Sequence, residues 1–236
     1  MISFLKTTLR GHPLLKNFLK SPISWFKCAF LTIRYVDEWR TFPAFQINGK
    51  VSFNLTKGKG SKLIINKQLV LEQWMKGNES ISLELGNSST CIFDNQFTIG
   101  NGVRLYVADQ ATLLIKGVNT ETGSGITANS IVMVKKYLEL GYDSIVAWDT
   151  FLTDCDWHGI YGKEAVLDTI VGDHVWIGVG CKVLKGANIG ANSIVTSLSV
   201  VLAGEYPKQS LLTGAPARIS KTDIPMWSRE MPSQKS

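Results

Sequence analysis

The sequence predicts an all-β protein: a parallel β-helix wound from six-residue units, preceded by a short α-helical segment and followed by a tail. Three observations carry this. From Val171 to Val201 an aliphatic residue returns every six positions, at Val171, Ile177, Val183, Ile189, Val195 and Val201. A helix face repeats at roughly 3.6 residues and a strand face at roughly 2, so neither explains the spacing. Stacked coils do, if each short strand turns one aliphatic side chain inward. The second observation lies three residues after each aliphatic position, where the chain must bend with φ often positive. Asp143, Asp149, His174, Gly180, Gly186, Asn192 and Gly204 tolerate that backbone, while Cys155 and Leu198 do not. The third is a small residue one place further on. Ser144, Thr150, Cys181, Ala187, Ser193 and Ser199 obey, as does Val175; Asp156 and Glu205 break the rule.

Residues 1–45 form an N-terminal segment of different character. LLKNFLKSPISWFKCAFLTIRYV mixes Leu, Phe, Trp and Ile with Lys and Arg. One reading is a helix or two packed on the end of the β core, covering the edge that a repeat protein otherwise leaves open. The other is a basic amphipathic segment over residues 1–35 making peripheral contact with a membrane surface. Packing is the commoner fate of an apolar helix face and is the preferred reading.

Residues 46–206 form the β-helix. From Ile47 to Gly117 the runs KVSFNLT, KLIINKQL, ISLELGN, TCIFDNQ, VRLYVAD and ATLLIKG alternate with turn residues and read as early, irregular coils. Ile126, Val132 and Leu138 then keep the six spacing. After a two-residue slip, Leu140, Val146, Leu152 and His158 keep it again. A loop over 159–170 interrupts the pattern before the regular coils. Residues 207–236 form a C-terminal extension. In it, LLTGAPARI reads as an extended return strand with a Gly-Ala-Pro turn. DIPMWSREM reads as a short helix entered at Asp223-Ile224-Pro225.

Composition bounds the function. A 44% hydrophobic content supplies an ample core. The net charge of +6 is a mild attraction for anions, but no dense Lys/Arg stripe points to nucleic acid. Cys28, Cys91, Cys155 and Cys181 are scattered with no CxxC pair, which argues against zinc and for reduced thiols in a cytoplasmic protein. The first twenty residues have cations interrupting every apolar run, unlike a signal peptide, and no stretch is long enough to span a bilayer.

Three histidines are present. His12 sits in a Gly-His-Pro context and reads as surface. His174 occupies a turn position where Asn would serve equally. His158 ends an aliphatic ladder, follows Asp154-Cys155-Asp156-Trp157 and precedes the loop. Spacing alone leaves it open between a satisfied histidine at a coil end and a catalytic base.

The stretch from Val171 to Ile219, with GDHVWIG, VLKGANIGANSIV and TGAPARI, resembles the C-terminal half of hexapeptide-repeat acyltransferases. LGYDSIVAWDTFLTDCDWHGI resembles the segment carrying their active-site histidine. The likeness spans residues 90–220 and is strongest to the branch that O-acetylates cell-surface polysaccharides. It implies a left-handed coil of triangular section, a homotrimer, and acetyl-CoA in the groove between subunits. It also implies O-acetyl transfer to a sugar or polysaccharide acceptor. No metal is expected, and the reduced thiols with the basic segment over residues 1–35 place the protein in the cytoplasm, with contact at the inner face of the membrane as the alternative use of that segment.

On that resemblance His158 is the general base, a role for which histidine is the residue type most often used. Asp154 and Asp156 are candidates to orient the imidazole or bind sugar. Strand alternation would put both on the face of His158; their other role is turn hydrogen bonding. Cys155 reads as inert, with no second histidine near it in sequence. Trp148 and Trp157 are candidates to stack on the sugar, and Trp176 to pack at the trimer interface near His158. The family's pantetheine track maps onto Gly178, Val179 and Ser197. Its phosphate site maps onto Arg218 of Gly214-Ala215-Pro216-Ala217-Arg218, with Lys221. A lysine usual in the family's Gly-Ala-Gly-Ser-Val-Val-Thr-Lys run is Ala203 here, and Lys208 is the candidate replacement. An N-acyltransferase on an amino-sugar nucleotide or a serine acetyltransferase-like enzyme would use the same base. A γ-type carbonic anhydrase needs three zinc-binding histidines, which nearly exhausts the supply. A non-catalytic scaffold is the remaining alternative.

Overall fold

The computed structural model describes residues 21–74, 76–118 and 123–230. The chain visits three parallel sheets in rotation. The first holds eight strands, from Glu38–Trp39 to Gly204–Tyr206. The second runs from Phe45–Asn48 to Leu211–Gly214, and the third from Phe53–Lys57 to Val200–Val201. Each strand pairs with the strand one coil away, and every such pairing is parallel. The exception is Ala217–Lys221, which turns back antiparallel onto Leu211–Gly214. This is a parallel β-helix with three sides.

The six-residue ladder is its interior. Val171, Ile177, Val183, Ile189, Val195 and Val201 are all fully buried. In the regular coils Trp176–Ile177 lies over Ile194–Val195, so like residues stack on like. Burying one such aliphatic side chain contributes about 1.5–3 kcal/mol. The two-residue slip has a simple cause. Strands of the first sheet are four residues long in this region, and Leu138 and Leu140 both point inward from one of them.

The corners follow the phasing. Asp143, Asp149, His174, Gly180, Gly186, Asn192, Leu198 and Gly204 all have positive φ; Cys155 does not, and Trp157 takes that conformation instead. The small residues tuck inside the corners, where their hydroxyls serve the backbone. Ser144 Oγ donates to Gly172 O at 2.8 Å and accepts from Val175 N at 3.0 Å. Ser193 Oγ accepts from Ser210 N at 3.1 Å.

The helix Pro22–Tyr35 closes one end. Cys28, Leu31 and Thr32 face the first coil and are buried; Thr32 Oγ1 accepts the Ala44 N–H at 3.0 Å. The packing reading therefore holds for this side of the helix. Residues 1–20, with His12, lie outside the described residues.

Several expected boundaries move. The coils begin at Glu38, not residue 46, and continue through Gly214, beyond 206. The loop leaves the coil at Asp154, and the chain is back in a strand by Thr169–Val171. Asp223 to Glu230 forms no helix. It is an extended strap that climbs the corner between the first and second sheets, coil by coil. Ile224 N donates to Gln209 O, Trp227 stacks on His174, and Arg229 reaches Asp143. Pro225 and the buried Ile224 and Trp227 suit such a strap better than a helix turn.

Candidate active site

His158 sits at the corner between the third and first sheets. The loop leaving this corner is a short antiparallel stem. Asp156 N donates to Ala165 O, Leu167 N donates to Asp154 O, and Cys155 bridges to Val166. His158 lies where the stem opens into its tip. It is exposed, and among the described residues its ring makes no hydrogen bond. The aliphatic ladder does not continue through it: the chain departs one strand earlier, at Thr153.

The two acids do not share its face. The strand ends at Thr153 and Trp157 has φ of 63°, so alternation fails across 154–158. Asp154 is fully buried and accepts the backbone N–H groups of Lys135, Lys136 and Tyr137 at 2.6–2.8 Å. Burial pushes its carboxyl above its ordinary value, against the pull of those donors. Asp154 therefore fastens the loop to the preceding coil and does not orient the imidazole. Asp156 pairs with Lys185 Nζ at 2.6 Å; the same ammonium bonds the Glu164 carbonyl, tying both legs of the loop to the coil below.

Trp157 is also structural in this arrangement. Its indole N–H donates to Thr153 Oγ1 at 3.2 Å, and its ring packs 5.7 Å from Tyr106. Cys155 is buried, and its Sγ accepts the Trp157 N–H.

The residues matched to the CoA track lie on another corner, between the second and third sheets. Here Gly180 N donates to Trp148 O, and Leu198 N to Val179 O. The carbonyls of successive coils are thus occupied. Among the described residues the N–H groups of Val179 and Ser197 have no acceptor, so the corner presents a ladder of outward donors. Gly178 is buried where a Cβ would come 2.7 Å from Ser197 N, so only glycine allows the coils to approach. Trp148 and Leu198 stand exposed on this corner at 46% and 73%. Gly214, Pro216, Arg218 and Lys221 follow on the terminal hairpin, all exposed, with Lys208 exposed before it.

Within one chain the structure does not bring His158 to this ladder. The two corners flank the third sheet, where Phe151, Lys182 and Val200 are in register on the outer surface. Lys182 is exposed there, a cation between the two corners. The sequence reading passed over it, although its place just before the inward Val183 marks it as outward-facing. Trp176 lies on the second sheet instead, 6.1 Å from Trp227 and beside the tail strap. A cavity of about 130 Å³ under the helix, lined by Ser24, Trp25, Cys28 and Phe45 among others, is at the other end of the coils from these groups.

His174 is confirmed as a turn residue with φ of 53°, and it does more than Asn would. Its Nδ1 meets Asp143 Oδ2 at 2.7 Å, its Nε2 meets Trp227 O at 3.0 Å, and Trp227 stacks on it at 4.1 Å. Arg229 completes the clasp on Asp143 at 2.8 Å. Asp143 and His174 occupy the same corner position one coil apart, so the phasing already held the signal for this pair.

No protein-family model matches the chain. Curated relatives do. A putative lipopolysaccharide biosynthesis O-acetyl transferase of Escherichia coli is 26% identical over 57% of this chain and 73% of its own length. A polysialic acid O-acetyltransferase of Neisseria meningitidis is 28% identical over 66% and 78%. A putative acetyltransferase of Saccharomyces cerevisiae is 35% identical, over 25% of this chain and 30% of its own length. Among solved structures, the polySia specific acetyltransferase NeuO aligns at TM-score 0.46 and 20% identity, covering 81% of this chain and 92% of that one. Over more than half of its length the chain is thus similar in sequence to bacterial O-acetyltransferases.

Proposed function

We propose that the protein is an acetyl-CoA-dependent O-acetyltransferase acting on a sugar hydroxyl of a cell-surface polysaccharide or its precursor, with His158 as general base. The observation that carries this is an exposed imidazole on a loop fastened at Asp154 and Asp156, facing solvent with neither ring nitrogen engaged. The relatives' named activities, lipopolysaccharide biosynthesis and polysialic acid O-acetylation, supply the acceptor class.

In the proposed reaction a ring nitrogen of His158 removes the hydroxyl proton as the sugar oxygen attacks the thioester carbonyl. The tetrahedral intermediate collapses with C–S cleavage. The departing CoA thiolate takes the proton back from the imidazolium, leaving an acetyl ester and free CoA. No acyl-enzyme forms, which fits a buried Cys155. The N–H groups of Val179 and Ser197 suit the amide carbonyls of a pantetheine arm. Arg218 and Lys221, with Lys208 in place of the family's lysine at Ala203, suit its phosphates. Trp148 offers an exposed apolar face for a sugar ring.

His158 and the donor ladder occupy different corners, so a homotrimer is part of this proposal: His158 of one chain faces the ladder of its neighbour. The direct test is acetyl-CoA consumption against a panel of glycans, with mass spectrometry of the product. Acetyl esters on a glycan support the reading. Amide products, or thiol release without any acceptor, count against it.

A further inference from the structure

The helix Pro22–Tyr35 has two apolar faces. One covers the first coil. The other carries Ile23, Phe26, Phe30 and Ile33, which are 61–85% exposed and form one stripe at helical spacing. Lys27 and Arg34 are exposed along one edge of that stripe. Isolated exposed apolar side chains need no explanation, but four in line on one helix do.

Charge is segregated in the same place. Residues 1–36 contain Lys6, Arg10, Lys16, Lys20, Lys27 and Arg34 and no Asp or Glu. The other 200 residues hold nineteen cations and nineteen anions, so the whole net charge of +6 belongs to this end of the chain. A second copy of the stripe, or the chain's own first twenty residues, would bring like charge against Lys27 and Arg34. An anionic bilayer brings opposite charge and accepts aromatic and aliphatic side chains in its interface.

We propose that the outer face of this helix docks the protein on an anionic phospholipid surface. The helix lies in the interfacial plane, with Ile23, Phe26, Phe30 and Ile33 inserted and the cations at the headgroups. No helix among the described residues is long and apolar enough to span a bilayer, so the contact is peripheral. The inner face meanwhile holds the helix to the coils, which sets the β-helix directly beneath the membrane surface.

The test is flotation of the full chain with vesicles of phosphatidylcholine alone or with phosphatidylglycerol added. Binding should require phosphatidylglycerol and fall as salt is raised. Phe30→Asp/Ile33→Asp should weaken it about tenfold or more at an unchanged Tm, and Lys27→Glu/Arg34→Glu should weaken it comparably while leaving the apolar stripe intact. Equal binding to both vesicle types, or wild-type binding by both variants, overturns the proposal. So does a change of oligomeric state in Phe30→Asp/Ile33→Asp, which would assign the face to a second copy. A Phe30→Cys chain whose thiol resists labelling in the absence of vesicles would assign it to residues 1–20, with the same consequence.

Discussion

Asp154 and His158 are four residues apart and do opposite kinds of work. Asp154 is buried with both carboxylate oxygens accepting backbone N–H groups, so its removal should be felt in stability. Asp154→Asn should cost about 1.5–3 kcal/mol, read as a lowered midpoint of chemical denaturation. Lys185 holds the loop through Asp156 and the Glu164 carbonyl without itself belonging to the imidazole. Lys185→Met should lower kcat more than it changes KM for acetyl-CoA, because a misplaced loop displaces the base while leaving the donor ladder intact. Phase explained His174 as a turn residue, but it set His158 at the end of a ladder that the chain leaves at Thr153. The roles of the acids were not. Strand alternation put them beside His158, and it fails because the chain leaves the sheet at Thr153 and turns through positive φ at Trp157.

The coils were the most legible elements, since a six-residue period leaves no other interior. The tail was the least. DIPMW satisfies a helix start, yet it lies along a corner because His174, Asp143 and Gln209 offer partners at coil spacing. Such a strap is set by tertiary contacts that local propensity does not encode. Trp227→Ala should remove the stack on His174 and the indole bond to its carbonyl, and lower stability by about 3 kcal/mol. A second effect belongs to the strand Tyr137–Leu140. Burial alone would raise the Glu139 carboxyl, but hydrogen bonds from Lys116 and Tyr137 outweigh it and hold the group below its ordinary value. Its contribution to stability is therefore present above the unfolded-state pKa and lost as pH falls through the lower folded one. Glu139→Gln should flatten the acid limb of a plot of Tm against pH, leaving the neutral region less changed.

At the scale of the molecule, the coils distribute the candidate groups to corners. One corner carries His158, the next the N–H groups of Val179 and Ser197, without acceptors among the described residues, and the third a strap that closes it. Sequence phasing gives each residue's place within a coil, but it does not say which corners would meet in the proposed trimer. If the proposed trimer joins them, chains carrying His158→Ala and chains carrying Arg218→Ala should complement each other. Mixed trimers, assayed at low acetyl-CoA, should exceed the sum of the two homotrimers; activity equal to that sum would place the whole site within one chain. Arg218→Ala alone should raise KM for acetyl-CoA about tenfold, as loss of a charge-assisted bond at an exposed site.

The central claim is that His158 is the base. Its side chain is exposed and makes no hydrogen bond among the described residues, so its removal has little structure to disturb. The deciding measurement is the turnover of His158→Ala on an acceptor that the wild-type protein acetylates, with Tm recorded on the same sample. A fall in kcat of about 10²–10⁴-fold at unchanged Tm is the predicted result. Turnover equal to that of the wild type would contradict it.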